Sequence, residues 1–107
     1  MNKYTELSDD AINAIVFISL YGEGSLKDKD MRRYFSRVDY CNNPADAMPI
    51  VIENLISLMA DVLEDGKSPL WIAQDISANI TTRYKSNPLR AAMEVFLMMK
   101  DAENEKV

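Results

Sequence analysis

The sequence predicts an α+β domain, with three helices packed on a small antiparallel sheet that contains a β-hairpin. Three observations lead there. Cap residues at Ser8, Asn43 and Asn87 each open a stretch with apolar residues at helical spacing. From Ile56 the apolar period changes to two, and the turn-forming run Glu64-Asp65-Gly66-Lys67-Ser68-Pro69 separates two such stretches. The length, 107 residues, suits one hydrophobic core, so residues 1–107 read as a single domain.

The first helix starts at Ser8, whose hydroxyl can accept from an early amide, while Asp9 and Asp10 place negative charge at the positive end of the dipole. Leu7 and Ile12 are spaced for a hydrophobic staple, and Ile12, Ile15, Val16 and Ser19 mark one face. Gly22 and Gly24 end the helix. Residues 25 to 37 admit two readings, a short helix carrying Leu26, Met31, Tyr34 and Phe35, or an ordered loop. The alternation in Ser36-Arg37-Val38-Asp39-Tyr40 suggests a brief strand.

Asn43-Pro44 is a cap followed by proline at the first helical position, where a missing N–H costs nothing. Asp46 is placed to reach back to that cap, and the helix runs to about Asn54, with Pro49 predicting a kink or tight packing. Ile56, Leu58, Ala60 and Val62 then alternate along a strand, and Leu70 to Ile76 return as its partner. Ile80 to Tyr84 reads as a third strand or a loop. Asn87-Pro88 repeats the capped start, and Leu89, Ala92, Met93, Phe96 and Leu97 form a helical stripe with Met99 beside it. Asp101 to Val107 reads as a charged tail that frays. The segments before the two Asn-Pro pairs, Arg37-Val38-Asp39-Tyr40 and Thr82-Arg83-Tyr84, look loosely alike, which independent capping explains more simply than duplication.

Composition narrows the chemistry. The chain has no histidine and one cysteine, so it cannot by itself assemble a Cys/His metal cluster, a Ser-His-Asp or Cys-His arrangement, or an internal disulfide. No metal ligands or cofactor site are expected. An apolar fraction of 48% with 27% charged residues is ordinary globular composition. Seventeen acidic residues against twelve basic ones give a net charge of −5, which disfavours a nucleic-acid partner without removing a local basic patch. No run approaches membrane-span length and the first residues lack a signal-peptide pattern, so the expected setting is the cytoplasm.

Four groups of residues carry possible function, each with a plainer alternative. Cys41, Asn42 and Asn43 could present a thiol and two amides at a helix N-terminus, a place that can hold an anion; the alternative is a buried cysteine and an Asn cap that fix how a strand enters a helix. Lys27, Lys29, Arg32, Arg33 and Arg37 make a basic stretch beside Tyr34 and Phe35, suited to phosphate or an acidic partner; the alternative is a solvated connector partly neutralised by Asp28 and Asp30. Glu53, Asp61, Glu64, Asp65 and Asp75 are carboxylates around the hairpin without a fixed spacing, more typical of turns than of a hydrolase or magnesium site. The seven methionines suit either a pliable groove or irregular core gaps.

Several of these blocks carry a family likeness. Asp39-Tyr40-Cys41-Asn42-Asn43-Pro44-Ala45-Asp46-Ala47-Met48-Pro49-Ile50, with Glu53-Asn54 and Ile56-Ser57-Leu58, resembles the central block of the NinX-type phage proteins. The closing block, Asn87-Pro88-Leu89-Arg90-Ala91-Ala92-Met93 with Val95-Phe96-Leu97-Met98-Met99, resembles the same family, as do Leu7-Ser8-Asp9, Ile12-Asn13, Trp71 and Ala73. The matched blocks cover about half of the chain; residues 21 to 37 and 76 to 86 lie outside them. The resemblance implies a gene carried by a lambdoid phage or prophage of an enteric bacterium, and a domain whose function is unknown, so it brings no active-site residues.

The expectation for function is therefore a phage-encoded, non-enzymatic module that binds a host or phage protein, for example as an acidic inhibitor of a host protein that competes for a basic groove. The alternative is a nucleic-acid-associated adaptor using Lys27 to Arg37. A carboxylate-dependent enzyme is a second alternative, and an oligomer-forming protein that buries Trp71 or the methionine cluster is a third.

Overall fold

Among the described residues four α-helices and three strands follow in order: α1 (Asp9–Tyr21), α2 (Lys29–Phe35), α3 (Pro44–Glu53), β1 (Ser57–Val62), β2 (Pro69–Gln74), β3 (Thr81–Lys85) and α4 (Pro88–Glu105). The computed structural model describes residues 2–105, the side chain of Tyr84 excepted. The fold is thus α+β, with one helix more than the sequence predicted. The additional helix is α2, preceded by a 3-10 turn at Ser25–Lys27. Its start is local chemistry: the Asp28 carboxylate accepts from the Met31 amide at 3.0 Å.

The three predicted caps are in place. The Ser8 hydroxyl accepts from the Ala11 amide at 3.1 Å, and Asn43 Oδ1 accepts from the Ala45 amide at 3.0 Å. Asn87 Oδ1 accepts from the amides of Leu89 and Arg90 at 2.9 and 3.3 Å. Gly22 closes α1 with φ 104°, a conformation open to glycine. Pro49 lies inside α3, where it removes the donor for the Ala45 carbonyl; Ala45 is exposed, so water can replace it.

Three expectations are corrected. Residues 36 to 40 are not a strand. Their backbone is consumed by successive turns, with Arg37 N–H donating to Tyr34 O, Val38 N–H to Phe35 O, and Asn43 N–H to Asp39 O. Asp46 reaches back past the cap and accepts from the Asp39 amide at 2.9 Å. The charged tail does not fray at residue 101, because α4 continues through Glu105. Asp101 is held there by the Tyr4 hydroxyl at 2.6 Å and the Lys3 ammonium at 3.3 Å. Lys106 and Val107 lie outside the described residues.

Helix α4 is the centre of the fold. Ala91 through Leu97 are all buried, a run that covers every side of the helix. Helices α1 and α3 pack on it, and the sheet lies across it mainly through β2 and β3. Met93 is fully buried, while Met31, Met48, Met98 and Met99 are partly buried against the same core. These five fill core space, and of them Met48 also borders an open groove.

The sheet is antiparallel in the order β1-β2-β3, so β1 is an edge strand. The hairpin closes through Leu63 N–H to Ser68 O and Gly66 N–H to Leu63 O, with Gly66 at φ 68°. The Asp65 carboxylate accepts from the Lys67 and Ser68 amides. Of the predicted alternating set, Ile56 is buried and Leu58 half-buried, but Ala60 and Val62 are exposed. The distal hairpin extends past the cover of α4, consistent with the elongated extents of 48 × 33 × 24 Å.

Candidate functional site

Helix α3 presents two unlike surfaces. One side carries Met48, Val51, Ile52 and, just past its end, Leu55; the other carries Ala45, Asp46, Pro49 and Glu53. Each side borders a concavity.

The first is an open apolar groove of about 550 Å³ between α3, the start of β1 and the residue after β2, Ile76. Among the described residues, Ser57 is the only polar one in its lining. Ile52, Leu55 and Ile76 are 68%, 60% and 76% exposed. Local backbone chemistry sets the position of Leu55. The α3 terminus is a Schellman turn, in which Ile56 N–H donates to Val51 O at 3.0 Å and Leu55 N–H to Ile52 O at 3.3 Å. That turn requires a left-handed residue, commonly glycine, yet Leu55 fills it at φ 55°. A bulky apolar side chain is thus held in solvent at a strained backbone position.

The second is a cleft of about 250 Å³ bounded by Leu20 and Tyr21 at the end of α1, Tyr34 of α2, and α3. Tyr40 also lines it and is 3% exposed. The Tyr21 and Tyr34 rings stand edge to face, 6.0 Å apart, and both pack on Phe17. Among the described residues, Asp46 and Glu53 supply the only charges in the lining.

The residues singled out from the sequence fall in two separate places. Cys41 is fully buried, its thiol 3.8 Å from the Asp9 carbonyl. Burial, then the Asp9 carboxylate, pushes the thiol up to about 12, so it stays protonated at neutral pH. Asn42 is exposed, but its amide is held by the Asp39 carboxylate at 3.1 Å and by Asp9 at 3.3 Å. Asn43 is the cap of α3. Carboxylates of Asp9, Asp39 and Asp46 therefore surround this helix start, an environment that repels an anion.

Lys27, Lys29, Arg32, Arg33 and Arg37 lie together on the 3-10 turn, α2 and the turn after it, all exposed. Arg32 is folded back, donating to the carbonyls of Leu26 and Lys27 at 3.2 and 2.9 Å. Among the described residues none of the five forms an ion pair. The hairpin carboxylates are dispersed. Asp65 organises the hairpin loop and Asp75 the β2–β3 turn, where it accepts from Ser77 Oγ and the Ile80 amide. Burial raises the Asp75 carboxyl, but these hydrogen bonds outweigh it and hold it below the usual range. Among the described residues no group of three or more Cys, Asp or Glu is placed to hold a metal ion. Nor is any helix long and apolar enough to cross a membrane.

Sequence reasoning missed a charged network inside the core. Glu94 is fully buried and accepts from Arg90 Nε at 2.7 Å, lies 3.4 Å from the Lys85 ammonium, and also receives the Asn2 amide. Arg90 in turn donates to Asp9 at 2.7 Å and to the carbonyls of Tyr4 and Leu7 at 2.8 and 2.7 Å. The network ties the N-terminal segment and the start of α1 to α4. A glutamate inside an otherwise apolar stripe, four residues after an arginine, was the available signal.

No curated protein matches this sequence, and no solved structure matches this fold. A family model does match: the one described as Bacteriophage P22, NinX, over residues 3–100, and the chain belongs to that family.

Proposed function

We propose that this phage-family chain is a non-enzymatic accessory protein that binds a basic host or phage protein through the groove between α3 and β1. The observation that carries this reading is Leu55, an apolar side chain 60% exposed at φ 55°, where glycine would relieve the backbone and hide nothing. With Ile52 and Ile76 it forms one exposed apolar patch, the kind of surface that marks a protein contact.

Charge complementarity supports a basic partner. The chain carries a net charge of −5. Glu53, Asp61 and Glu64, on α3 and the hairpin, are exposed and form no ion pair among the described residues. Such a field raises the encounter rate with a cationic protein and repels nucleic acid.

The test is affinity capture from host lysate, with and without nuclease treatment, run in parallel with the wild-type chain and with Leu55→Gly. A basic protein retained by the wild type and lost from Leu55→Gly is the expected result. Equal retention by both chains overturns the groove as the binding surface. Retention abolished by nuclease would favour the nucleic-acid adaptor built on Lys27 to Arg37. Turnover of a substrate by the purified chain, lost in Glu53→Gln, would instead establish a carboxylate-dependent enzyme.

A further inference from the structure

Strand β1 carries a row of backbone groups that the sheet itself leaves unused. At the hairpin end Leu63 N–H donates to Ser68 O, so that pair is hydrogen-bonded. Antiparallel pairs alternate between bonded and unbonded, and the register runs without a shift from Val62 opposite Pro69 to Ser57 opposite Gln74. Asp61, Met59 and Ser57 therefore bond to β2, and the N–H and C=O of Leu58, Ala60 and Val62 point the other way. Two observations agree with this phase. Pro69, opposite Val62, has no N–H to give. Asp75 N–H donates to Ile80 O, which turns Asp75 and Ala73 toward β3 and leaves Gln74, Ile72 and Leu70 for β1. Among the described residues no turn, loop or side-chain hydrogen bond reaches the outward groups of Leu58 and Ala60. Val62 N–H is taken by the Asp61 carboxylate at 2.8 Å.

An open edge is a template for another strand, and folds commonly blunt it with charge, proline or a bulge. The opposite edge, β3, is blunted: it carries Arg83 and Lys85, and its register against β2 shifts between Trp71 and Ala73. Strand β1 is regular, has Asp61 as its single charge, and is exposed at every residue but the half-buried Leu58. Leu58 is also where the edge meets the groove, because its side chain lines the same space as Ile52 and Leu55. A strand laid on this edge pairs its backbone with Leu58 and Ala60 and presents alternate side chains to the face on which Leu58 lies. Charge selects the occupant. Glu53, Asp61 and Glu64 flank or lie on β1, exposed and without an ion pair among the described residues. A second copy would bring another net charge of −5 against them, whereas a cationic segment complements them.

We propose that the free edge of β1 accepts an extended, cationic segment of the partner protein as a fourth strand of the sheet. This rests on reading the chain as a protein-binding module, and it names the form in which the partner arrives.

The probe is a capped peptide, Lys-Val-Thr-Val-Thr-Val-Lys, titrated into the intact chain and followed by amide NMR and hydrogen exchange. In the free chain the Leu58 and Ala60 amides should exchange fast and those of Met59 and Asp61 slowly. The peptide should shift the Leu58 and Ala60 amides and slow their exchange. N-methylating the valines blocks one edge of the peptide, and N-methylating the threonines blocks the other; one of these peptides should lose binding and the other keep it. Ala60→Pro removes no bond to β2 and should weaken binding about tenfold while Met59 and Asp61 stay protected. Equal binding by both methylated peptides, or no shift at Leu58 and Ala60 with millimolar peptide, overturns the proposal, and both readouts use the unaltered chain. Replacing the lysines by glutamates should weaken binding; equal binding overturns a cationic occupant. Protection of the same two amides in the chain alone, rising with its concentration, overturns the partner in favour of a second copy. Shifts confined to Ile52 and Leu55 overturn the added strand and leave the groove standing. Shifts at Leu58 and Ala60 alone support the added strand whatever becomes of the groove.

Discussion

Asn87 Nδ2 donates to the carbonyl of Cys41 at 2.7 Å, so the residue that caps α4 also fastens the residues just before α3. The two Asn-Pro helix starts are physically joined, with Asn87 Nδ2 also 3.1 Å from Asn42 Oδ1. A side chain that caps one helix and ties another has two separable contributions. Asn87→Ala removes both and should destabilise the fold by about 1–3 kcal/mol in urea unfolding. Asn87→Asp keeps the cap acceptor but loses the donor, and should remain less stable than the wild type. Wild-type stability in Asn87→Asp would mean that the tie contributes nothing.

The buried network makes a larger prediction. Removing Glu94 leaves the Arg90 guanidinium and Lys85 ammonium without their buried carboxylate. Glu94→Ala should cost about 3–5 kcal/mol, in the range measured when one member of a buried ion pair is deleted. The paired change Glu94→Met with Arg90→Met should recover part of that loss, because the Arg90 guanidinium is then no longer left without its carboxylate, while Lys85 and the more exposed Asp9 still lose a partner. A loss below about 1 kcal/mol in Glu94→Ala would show that water reaches the site.

Acid should weaken the fold through Asp9. The Arg90 hydrogen bond holds the Asp9 carboxyl below its ordinary value, outweighing the upward push of burial. A group depressed in the folded state binds its proton more readily when unfolded. Its stabilisation is therefore complete above the unfolded carboxylate value, about pH 4, and is lost as pH falls through the lower folded value. Asp65 and Asp75 are held low as well and add slope of the same sign. Thermal midpoints measured from pH 6 to pH 2 should fall in acid, and Asp9→Asn should flatten part of that fall. An unchanged slope in Asp9→Asn would remove the Arg90 contact from the account.

Leu55 offers a test in the opposite direction. Its side chain is mostly exposed and its backbone is left-handed, so little burial offsets the strain. Leu55→Gly should raise stability by about 1 kcal/mol despite the greater freedom of an unfolded glycine. A clear loss of stability would mean that Leu55 is held for packing within this chain, and the groove would lose its strongest support.

What the sequence revealed and what it hid divide along chain distance. Ser8, Asn43 and Asn87 were legible because a cap needs only its own residue and amides two or three positions on. Asp28 carries the same signal, and the charges around it obscured α2. The change to a period of two located β1 and β2, since alternation is written in consecutive residues. The order of the tail around Asp101 was not legible, because Tyr4 holds it from the other end of the chain. The tyrosine cleft is assembled from α1, α2, the turn at Tyr40 and α3, and no local pattern marks residues that meet only after packing. Of the residues singled out before α3, Cys41 is buried and Asn43 is a cap. The five basic residues from Lys27 to Arg37 do form one exposed stretch, but away from both concavities in their lining.

The most direct measurement places a photo-crosslinking amino acid at Ile52, in the groove, and at Glu103, far along α4, in chains expressed during phage growth. The account predicts adducts from position 52 to one basic protein, absent from position 103 and lost when Leu55→Gly is added. Equal adducts from both positions, or an adduct composed only of two copies of this chain, would contradict it.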